Sequence, residues 1–244
     1  MDAGGYVGVY LINFKQCQMK KFLKLLRNLV ILFFASSILV VLVLRFVPVY
    51  ITPLMLIRSV ESMVEGETPK IKKDWMPLDK ISQNMIQAVV ASEDNLFMEH
   101  NGFSIRDIEK ALEYNKKGKR IRGASTISQQ TSKNVFLWPR RSWVRKGLET
   151  YFTMLIEFLW TKERIMEVYL NVIETGDGVY GVQAASQQYF GTKASKLTRS
   201  QAALIAVCLP NPRRFNPANP SGYISRRKNK IVNLMGKLKR VDFE

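Results

Sequence analysis

Cysteine and histidine are nearly absent from this sequence of 244 residues. With two cysteines and one histidine, a disulfide framework is excluded and little room is left for zinc chemistry. Hydrophobic residues make up 47% of the chain and charged residues 23%, so disordered and collagen-like classes are excluded as well. Acidic residues are also scarce, because 20 Asp and Glu face 37 Lys and Arg, a net charge of +17. This excess favours an anionic partner, and nucleic acid, anionic lipid and a phosphorylated substrate all satisfy it.

One long hydrophobic run lies near the N-terminus. Residues 29–44 are apolar except for two serines; Arg45 interrupts the run, and the apolar character continues from Phe46 to Ile51. With snorkelling flanks this run is long enough to span a membrane. No small-residue cleavage site follows it, so we predict an uncleaved transmembrane anchor at 29–50 and not a signal peptide. The basic residues 1–28 then stay in the cytoplasm and the remainder is exported.

The exported part divides into three predicted segments. Residues 51–77 contain scattered proline and glycine and are predicted to be a linker. Residues 78–222 are predicted to form a mainly α-helical domain, because alternating and β-branched stretches are scarce. Residues 223–244 are predicted to be a basic, amphipathic C-terminal helix. Within the domain we predict helix starts at Asp79, Ser104 and Thr198 and one long helical stretch from Lys146 to Asn171.

The first candidate for chemistry is an acidic and aromatic run at 93–103. Glu93 continues the apolar stripe of Ile81, Met85 and Val89, so it should lie at a helix end on the buried face. Burial and the helix dipole both raise the pKa of a carboxyl group placed there. Such a carboxylate suits proton transfer near neutral pH. The spacing alone leaves a solvated glutamate just past a helix end as the alternative.

A second candidate lies at 123–134, where hydroxyl and amide side chains are followed by a lysine. Side chains of these types form hydrogen bonds with sugars or phosphates. The candidate ligands are Ser125, Thr126, Gln130, Lys133 and Asn134.

Basic residues flank this second candidate on both sides. The cationic run at 116–122 precedes it, and a solvated loop is the alternative interpretation of that run. Arg141 and Arg145 follow, and arginines bind phosphate through paired, charge-assisted hydrogen bonds. Glu149 is either an ion-pair partner of these cations or a second carboxylate for glycosyl chemistry.

In this order, the stretches resemble glycosyltransferase family 51, the monofunctional biosynthetic peptidoglycan transglycosylases. The resemblance extends from about Leu78 to Pro220. A departure is Ser104, where the family usually has Asp, and we interpret this serine as a helix cap. The matched positions are Glu93, Asp94, Phe97, His100 and Gly102; Gly123, Ser125, Thr126, Ile127, Gln130, Lys133 and Asn134; Arg145, Lys146 and Glu149; and Glu167, Tyr169, Leu170 and Asn171.

The resemblance implies a lysozyme-like, bilobed glycosyltransferase domain behind one transmembrane helix. It implies that a glycan strand on polyprenyl diphosphate is transferred to lipid II, with inversion to a β-1,4 bond. Glu93 would deprotonate the acceptor's 4-hydroxyl group. Lys133 and Arg141 would neutralise the departing diphosphate. Glu149 would be the second catalytic residue, which organises these cations and stabilises the transition state. Further substrate contacts are implied for Arg145, Gln130, Asn134, Ser125, Thr126, Asp94, Phe97 and His100.

The resemblance also bears on cofactors, partners and location. It allows Mg²⁺ or Mn²⁺ on the substrate diphosphate, and it implies neither a protein metal site nor an organic cofactor. The expected partners are the membrane, lipid II, the lipid-linked glycan strand and other cell-wall synthesis and division proteins, without nucleic acid. The expected location is the cytoplasmic (inner) membrane, with the N-terminus in the cytoplasm and the catalytic domain on the periplasmic side.

Two other functions are compatible with parts of the pattern. A lysozyme-like hydrolase would also use a glutamate, although the clustered cations favour synthesis from a diphosphate. A non-catalytic cell-wall scaffold would need no catalytic carboxylate, yet every motif carboxylate is present. A transpeptidase domain is not expected, because no Lys-Thr-Gly sequence occurs.

Overall fold

The structure is a computed structural model that describes residues 3–116, 118, 123–140 and 142–243, with side chains from residue 18 onward. The chain separates into two compact units, one ending at Phe46 and the other beginning at Val47. Arg141 and most of the basic run at 116–122 lie outside the described residues.

The first unit is a single long helix, α1 (Ala3–Leu44). Its segment Gln18–Leu44 has a mean hydropathy of 2.4, so its length and composition are sufficient to cross a membrane. The helix ends before the predicted boundary at residue 50. Pro48 has no N–H to continue a helix, and the following carbonyl groups of Val49 and Tyr50 accept hydrogen bonds from the Lys73 ammonium group.

The second unit consists mainly of helices in two packed groups. One group contains α3, α9 and α10, and the other contains α5, α6 and α7, with α2 packed on α5. The predicted mainly α-helical class is therefore confirmed. The elements are α2 (Pro53–Val64), β1 (Lys72–Lys73), α3 (Gln83–Glu93), α4 (Ile105–Lys116), α5 (Ile127–Phe136), α6 (Trp143–Leu159), α7 (Lys162–Val172), β2 (Glu174–Gly176), β3 (Val179–Tyr180), α8 (Val182–Phe190), α9 (Arg199–Cys208) and α10 (Gly222–Lys237), with short 3-10 helices at Leu78–Lys80 and Ala194–Lys196.

A small three-stranded sheet lies beside the helices. The strand order is β1-β3-β2, with β1 parallel and β2 antiparallel to β3. The pairing places Glu174 opposite Tyr180. The sheet therefore joins the segment after α2 to the segment after α7.

The segment predicted as a linker contains the helix α2. Thr52 caps this helix by accepting a hydrogen bond from the backbone N–H of Met55, and Pro53 occupies the first turn. Both features favour a helix start. Leu54 and Met55 are buried, and together with Tyr180 they form a hydrophobic cluster. Tertiary packing thus converts a segment with linker-like composition into a helix.

Helix α3 begins later than the sequence predicted. Asp79 lies in a 3-10 helix, and the cap of α3 is Ser82, whose hydroxyl accepts a hydrogen bond from Asn84 N–H. The apolar face is buried as predicted, with Met85 and Val89 fully covered. The helix ends at Glu93.

Helix α5 carries polar side chains into the interior. Thr126 and Gln129 form a capping box at its start. Thr131 and Ser132 are fully buried and donate to backbone carbonyls of their own helix, at 2.9 and 3.0 Å. Ser132 also shares a hydrogen bond of 2.8 Å with Thr153 of α6. Because these hydroxyls are small and satisfied, α5 and α6 pack closely.

The predicted long helix from Lys146 to Asn171 is two helices. The break falls at Trp160 and Thr161, which have extended backbones. The Thr161 hydroxyl accepts a hydrogen bond from Arg164 N–H and so caps α7. The predicted starts at Ser104 and Thr198 agree with the structure: Asp107 N–H donates to the Ser104 hydroxyl, and Thr198 forms a capping box with Gln201.

The C-terminal helix α10 ends at Lys237, short of the predicted 223–244. The residues after it form an extended tail over the back of α3. Val241 N–H donates to Gln87 Oε1 at 3.0 Å, and Gln83 Nε2 donates to the Val241 carbonyl at 2.8 Å. These side chains satisfy the tail backbone, so it does not need to be helical.

The loop between α3 and α4 depends on Gly102. Its φ is +88°, and a Cβ atom there would lie 2.8 Å from Thr153 Cγ2. Its carbonyl accepts a hydrogen bond of 2.7 Å from the Thr126 hydroxyl. The loop therefore approaches α6 at a distance that only glycine permits.

We expect Gly102→Ala to destabilise the domain by roughly 2–4 kcal/mol, since it combines a left-handed backbone with overpacking. Thermal unfolding of the purified protein measures this loss. Gly66→Ala is the matched control, because Gly66 has a φ of +78° and nothing within 4 Å of its Cβ position. Equal losses in the two variants would contradict the steric explanation.

Candidate active site

Glu93 is the last residue of α3 and is half-buried. Ser92 Oγ donates to Glu93 Oε1 at 3.1 Å, and Gln130 Nε2 donates to Glu93 Oε2 at 3.0 Å. Burial raises the pKa of Glu93, while the bonds from Gln130 and Ser92 and the charges of Arg227 and Lys133 partly oppose the increase. The raised pKa predicted from the sequence has burial as its main cause, and the carboxylate is suited to accept a proton.

Tyr169 fixes the orientation of the Gln130 amide. It is fully buried on α7, and its hydroxyl donates to Gln130 Oε1 at 3.3 Å. Burial and the charges of Glu93 and Asp94 raise the pKa of Tyr169 well above its ordinary value, so the hydroxyl stays a donor. Because the amide oxygen is occupied in this way, the amide nitrogen faces Glu93. Glu93 is thus held by an oriented donor.

Glu93 and Gln130, which share a hydrogen bond, line two different cavities. The first, of about 360 Å³, is called the Glu93 cavity, and its lining includes Glu93, Ser92 and the exposed Ser125. The second, of about 210 Å³, is called the Lys133 cavity, and its lining includes Gln130 and Lys133. The remaining lining residues of the Lys133 cavity are Leu54, Arg58, Asn134, Leu137, Trp138, Pro139, Ile173, Glu174, Leu209, Pro210 and Pro212.

Lys133 brings a cation to the edge of the reaction centre. Burial lowers the pKa of Lys133, as do the charges of Arg145 and Lys146, while Glu149 and Glu93 raise it. Within the part of the chain that the structure describes, no carboxylate lies within 4.0 Å of its ammonium group. A half-buried cation without a close counter-ion is a strong site for an anion.

Arg145 and Lys146 are gathered around one carboxylate. Glu149 is buried and accepts hydrogen bonds from Arg145 Nη1 at 3.0 Å and from Lys146 Nζ at 2.5 Å. Both of its oxygens are therefore engaged by cations. Of the two interpretations that the sequence left open, this geometry is that of an ion-pair partner.

Several residues predicted to contact substrate hold the loop together in the structure. Asp94 is buried and accepts hydrogen bonds from His100 Nε2 at 2.9 Å and from Ile127 N–H at 3.0 Å. Phe97 is fully buried beneath the Lys162 ammonium group, 4.6 Å from its ring centre. Thr126 is buried in the capping box of α5.

Asp94 and Thr126 still form part of the Glu93 cavity, whereas Phe97 and His100 are not among the described residues that line either cavity. Asn134 lines the Lys133 cavity, and its Nδ2 is buried. The substrate contacts of all these residues stay predictions.

A divalent ion does not fit the side chains present. Mg²⁺ and Mn²⁺ prefer several oxygen ligands. In the described ranges, no group of three or more His, Cys, Asp or Glu side chains could hold an ion. An ion at this site would be held by oxygens of a bound diphosphate and by water.

The sequence interpretation missed three charged residues. Arg227 on α10 lies close enough to Glu93 to lower its pKa. Arg58 on α2 and Glu174 on β2 both line the Lys133 cavity. The adjacent arginines in α10 were visible as a basic pair, but no local pattern connects Arg58 with Glu174.

The fold and site are those of a glycosyl-transfer domain: a carboxylate with a raised pKa stands beside a cation suited to an anionic leaving group. Comparison with known proteins agrees. Residues 61–236 match the family described as Transglycosylase. The chain belongs to this transglycosylase family.

Curated relatives cover most of the chain. A protein of Bacteroides thetaiotaomicron is 61% identical over 88% of this chain and 87% of its own length. One of Bdellovibrio bacteriovorus is 61% identical over 84% and 82%, and one of Pseudomonas syringae pv. syringae is 55% identical over 84% and 87%. Each of the three is named biosynthetic peptidoglycan transglycosylase.

The raised pKa of Glu93 predicts a pH-dependent gain in stability on neutralisation. At pH 7.5 the folded state carries the cost of a buried carboxylate, so Glu93→Gln should raise the melting temperature. The gain should shrink as the pH falls through the raised pKa to below the ordinary value of 4.5, where Glu93 is protonated in both the folded and unfolded states. Thermal unfolding as a function of pH checks this.

Glu109→Gln is the matched control, because Glu109 is exposed on α4, and it should shift the melting temperature little at any pH. A lower melting temperature for Glu93→Gln at pH 7.5 would contradict the assigned pKa direction.

Proposed function

We propose that this protein is a membrane-anchored peptidoglycan glycosyltransferase that polymerises lipid II into β-1,4-linked glycan strands. The observation that carries the proposal is the juxtaposition of the Glu93 carboxylate, held by Gln130, with the half-buried ammonium group of Lys133. Family membership and the names of the relatives support it.

In the proposed reaction, Glu93 acts as the general base. It takes the proton from the 4-hydroxyl of the acceptor lipid II in the Glu93 cavity. The resulting oxygen nucleophile attacks the anomeric carbon of the donor sugar from the face opposite the diphosphate. The new C–O bond forms as the bond to the diphosphate breaks, so the α-linked donor becomes a β-linked product.

The leaving group is an anion, and cations must stabilise it. Lys133 supplies a positive charge whose burial strengthens its interaction with the diphosphate. We propose that Arg141 and Arg145 assist it. Glu149 holds Arg145 in place through the bond of 3.0 Å. This arrangement reduces the need for a general acid at the leaving oxygen.

The product strand remains attached to its lipid, which explains why the enzyme is anchored. We propose that α1 spans the inner membrane, that the basic N-terminus lies in the cytoplasm and that the catalytic domain lies outside. The anchor then confines enzyme and substrate to one surface and raises their effective concentration. Partners among the other cell-wall synthesis and division proteins stay a prediction.

The deciding experiment incubates the detergent-solubilised protein with labelled lipid II. We expect polymer that lysozyme digests. Glu93→Gln should reduce its formation by at least about 10²–10⁴-fold, because a general base is lost, while lipid II binding is kept. Monomeric sugar release would instead indicate a hydrolase, and a variant retaining a tenth of wild-type turnover would overturn the role of Glu93.

Lys133 should act mainly on the chemical step. Since its interaction strengthens as charge grows on the diphosphate, Lys133→Ala should lower kcat by roughly 10²-fold with a smaller change in KM. Steady-state kinetics with lipid II measures both. Lys196→Ala, at an exposed lysine in the 3-10 helix Ala194–Lys196, should leave kcat unchanged. A pure increase in KM for Lys133→Ala would show that Lys133 binds the ground state and transition state equally.

A further inference from the structure

The Lys133 cavity contains polar atoms that no protein group satisfies. Among the residues that the structure describes, six buried side-chain polar atoms have no hydrogen-bond partner, and three belong to residues lining this cavity. They are Arg58 Nε, Glu174 Oε1 and Asn134 Nδ2. Buried polar atoms are nearly always bonded, because an unpartnered one destabilises the fold. Their concentration at one cavity therefore points to a ligand.

Two of these side chains, Arg58 and Glu174, are fixed by other contacts within the protein. Arg58 Nη1 donates to Glu61 Oε2 at 2.8 Å, which fixes the guanidinium group, while its buried Nε has no hydrogen-bond partner. Glu174 begins β2 and is paired in register with the fully buried Tyr180. Burial raises the pKa of Glu174, and the charges of Arg58 and Arg213 oppose the increase. The arrangement is preorganised from elements that are far apart in the chain.

The three atoms define the chemistry of the missing group. Arg58 Nε and Asn134 Nδ2 carry protons to donate, while the Glu174 carboxylate only accepts when ionised. The ligand group must therefore accept two hydrogen bonds and donate one. An acetamido group does this, because its carbonyl oxygen has two lone pairs and its nitrogen one proton.

The charges of Arg58 and Glu174 also favour an acetamido group. Arg58 Nε and Glu174 Oε1 are 3.9 Å apart, so the two charges largely cancel. A diphosphate would be repelled by Glu174 and is better bound by Lys133 in the same cavity. A neutral polar group adjacent to a diphosphate fits both ends of the cavity.

We propose that Arg58, Glu174 and Asn134 form a subsite for the acetamido group of the donor sugar that carries the diphosphate. This subsite rests on the proposed function, because it assumes a lipid-diphosphate-linked amino sugar as substrate. It makes Arg58 and Glu174 specificity-determining residues of the donor side.

The experiment uses a lipid-linked tetrasaccharide as donor, varied against a fixed concentration of lipid II in detergent. Arg58→Lys keeps the charge but removes the Nε–H, and Glu174→Gln keeps the volume but removes the anionic acceptor. We expect each variant to raise the donor KM about tenfold, with kcat changed less than about threefold. The matched control is Glu109→Gln, since Glu109 is exposed on α4 and is not among the residues that line the Lys133 cavity.

A donor analogue makes the assignment specific. With a donor in which a hydroxyl replaces the acetamido group of the diphosphate-bearing sugar, the donor KM of the wild type should rise about tenfold. For this analogue, Arg58→Lys and Glu174→Gln should raise the donor KM little further, because the hydrogen bonds to the acetamido group are already absent. If the variants raise the donor KM of the analogue tenfold, as they do for the natural donor, the proposed subsite is wrong.

The subsite and the proposed function fail differently. If wild type forms no lysozyme-sensitive polymer, the proposed function fails. If wild type polymerises lipid II normally while both variants keep the wild-type donor KM and change only the melting temperature, the three atoms bind water alone and the subsite is wrong.

Discussion

Asp94 accepts one hydrogen bond from His100 and another from the first N–H of α5, so one carboxylate joins the end of α3 to the start of α5. The neighbouring residue on one side is Glu93, and a turn further along α5 is Gln130. The hydrogen bond between Glu93 and Gln130 therefore depends on the contacts that Asp94 makes. Around this connection the Thr126 capping box and the close loop at Gly102 bring the two helix groups together. Most of the described contacts in the motif that contains Glu93 position its carboxylate.

The site combines burial with charge, and each affects the other. Removing water from Glu93 raises its proton affinity, and removing water from Lys133 lowers the proton affinity there. Each nearby opposite charge limits the shift of the other. Tyr169 adds a donor that cannot ionise at neutral pH and so keeps Gln130 in one orientation. The result is a base and a cation that coexist in a small volume without forming an ion pair.

Local patterns predicted what local physics determines. The mainly helical class, the apolar N-terminal helix, the cap at Ser104 and the buried helix-end position of Glu93 all follow from spacing and capping chemistry. The break before Thr161 was missed because apolar periodicity continues across it. The helix α2 was missed because its stability comes from packing against distant residues.

Long-range pairs had no signal at all in a single sequence. Gln130 and Tyr169 are separated by 39 positions and Asn171 and Met76 by 95, yet each pair is joined by a hydrogen bond. Arg58 and Glu174 meet only because β2 pairs with β3 and α2 packs on α5. Such contacts depend on tertiary structure, and no local sequence pattern at one partner indicates the other.

The extended tail after α10 has a consequence for the order of assembly. Val241 bonds to Gln87 across 154 positions of chain, on the same helix that presents Glu93. During synthesis, α3 is made well before the residues that cover part of its surface. Until those residues are made, Gln83 and Gln87 of α3 lack the backbone partners that the tail provides. The helix that ends at Glu93 is thus held by residues that are made long after it.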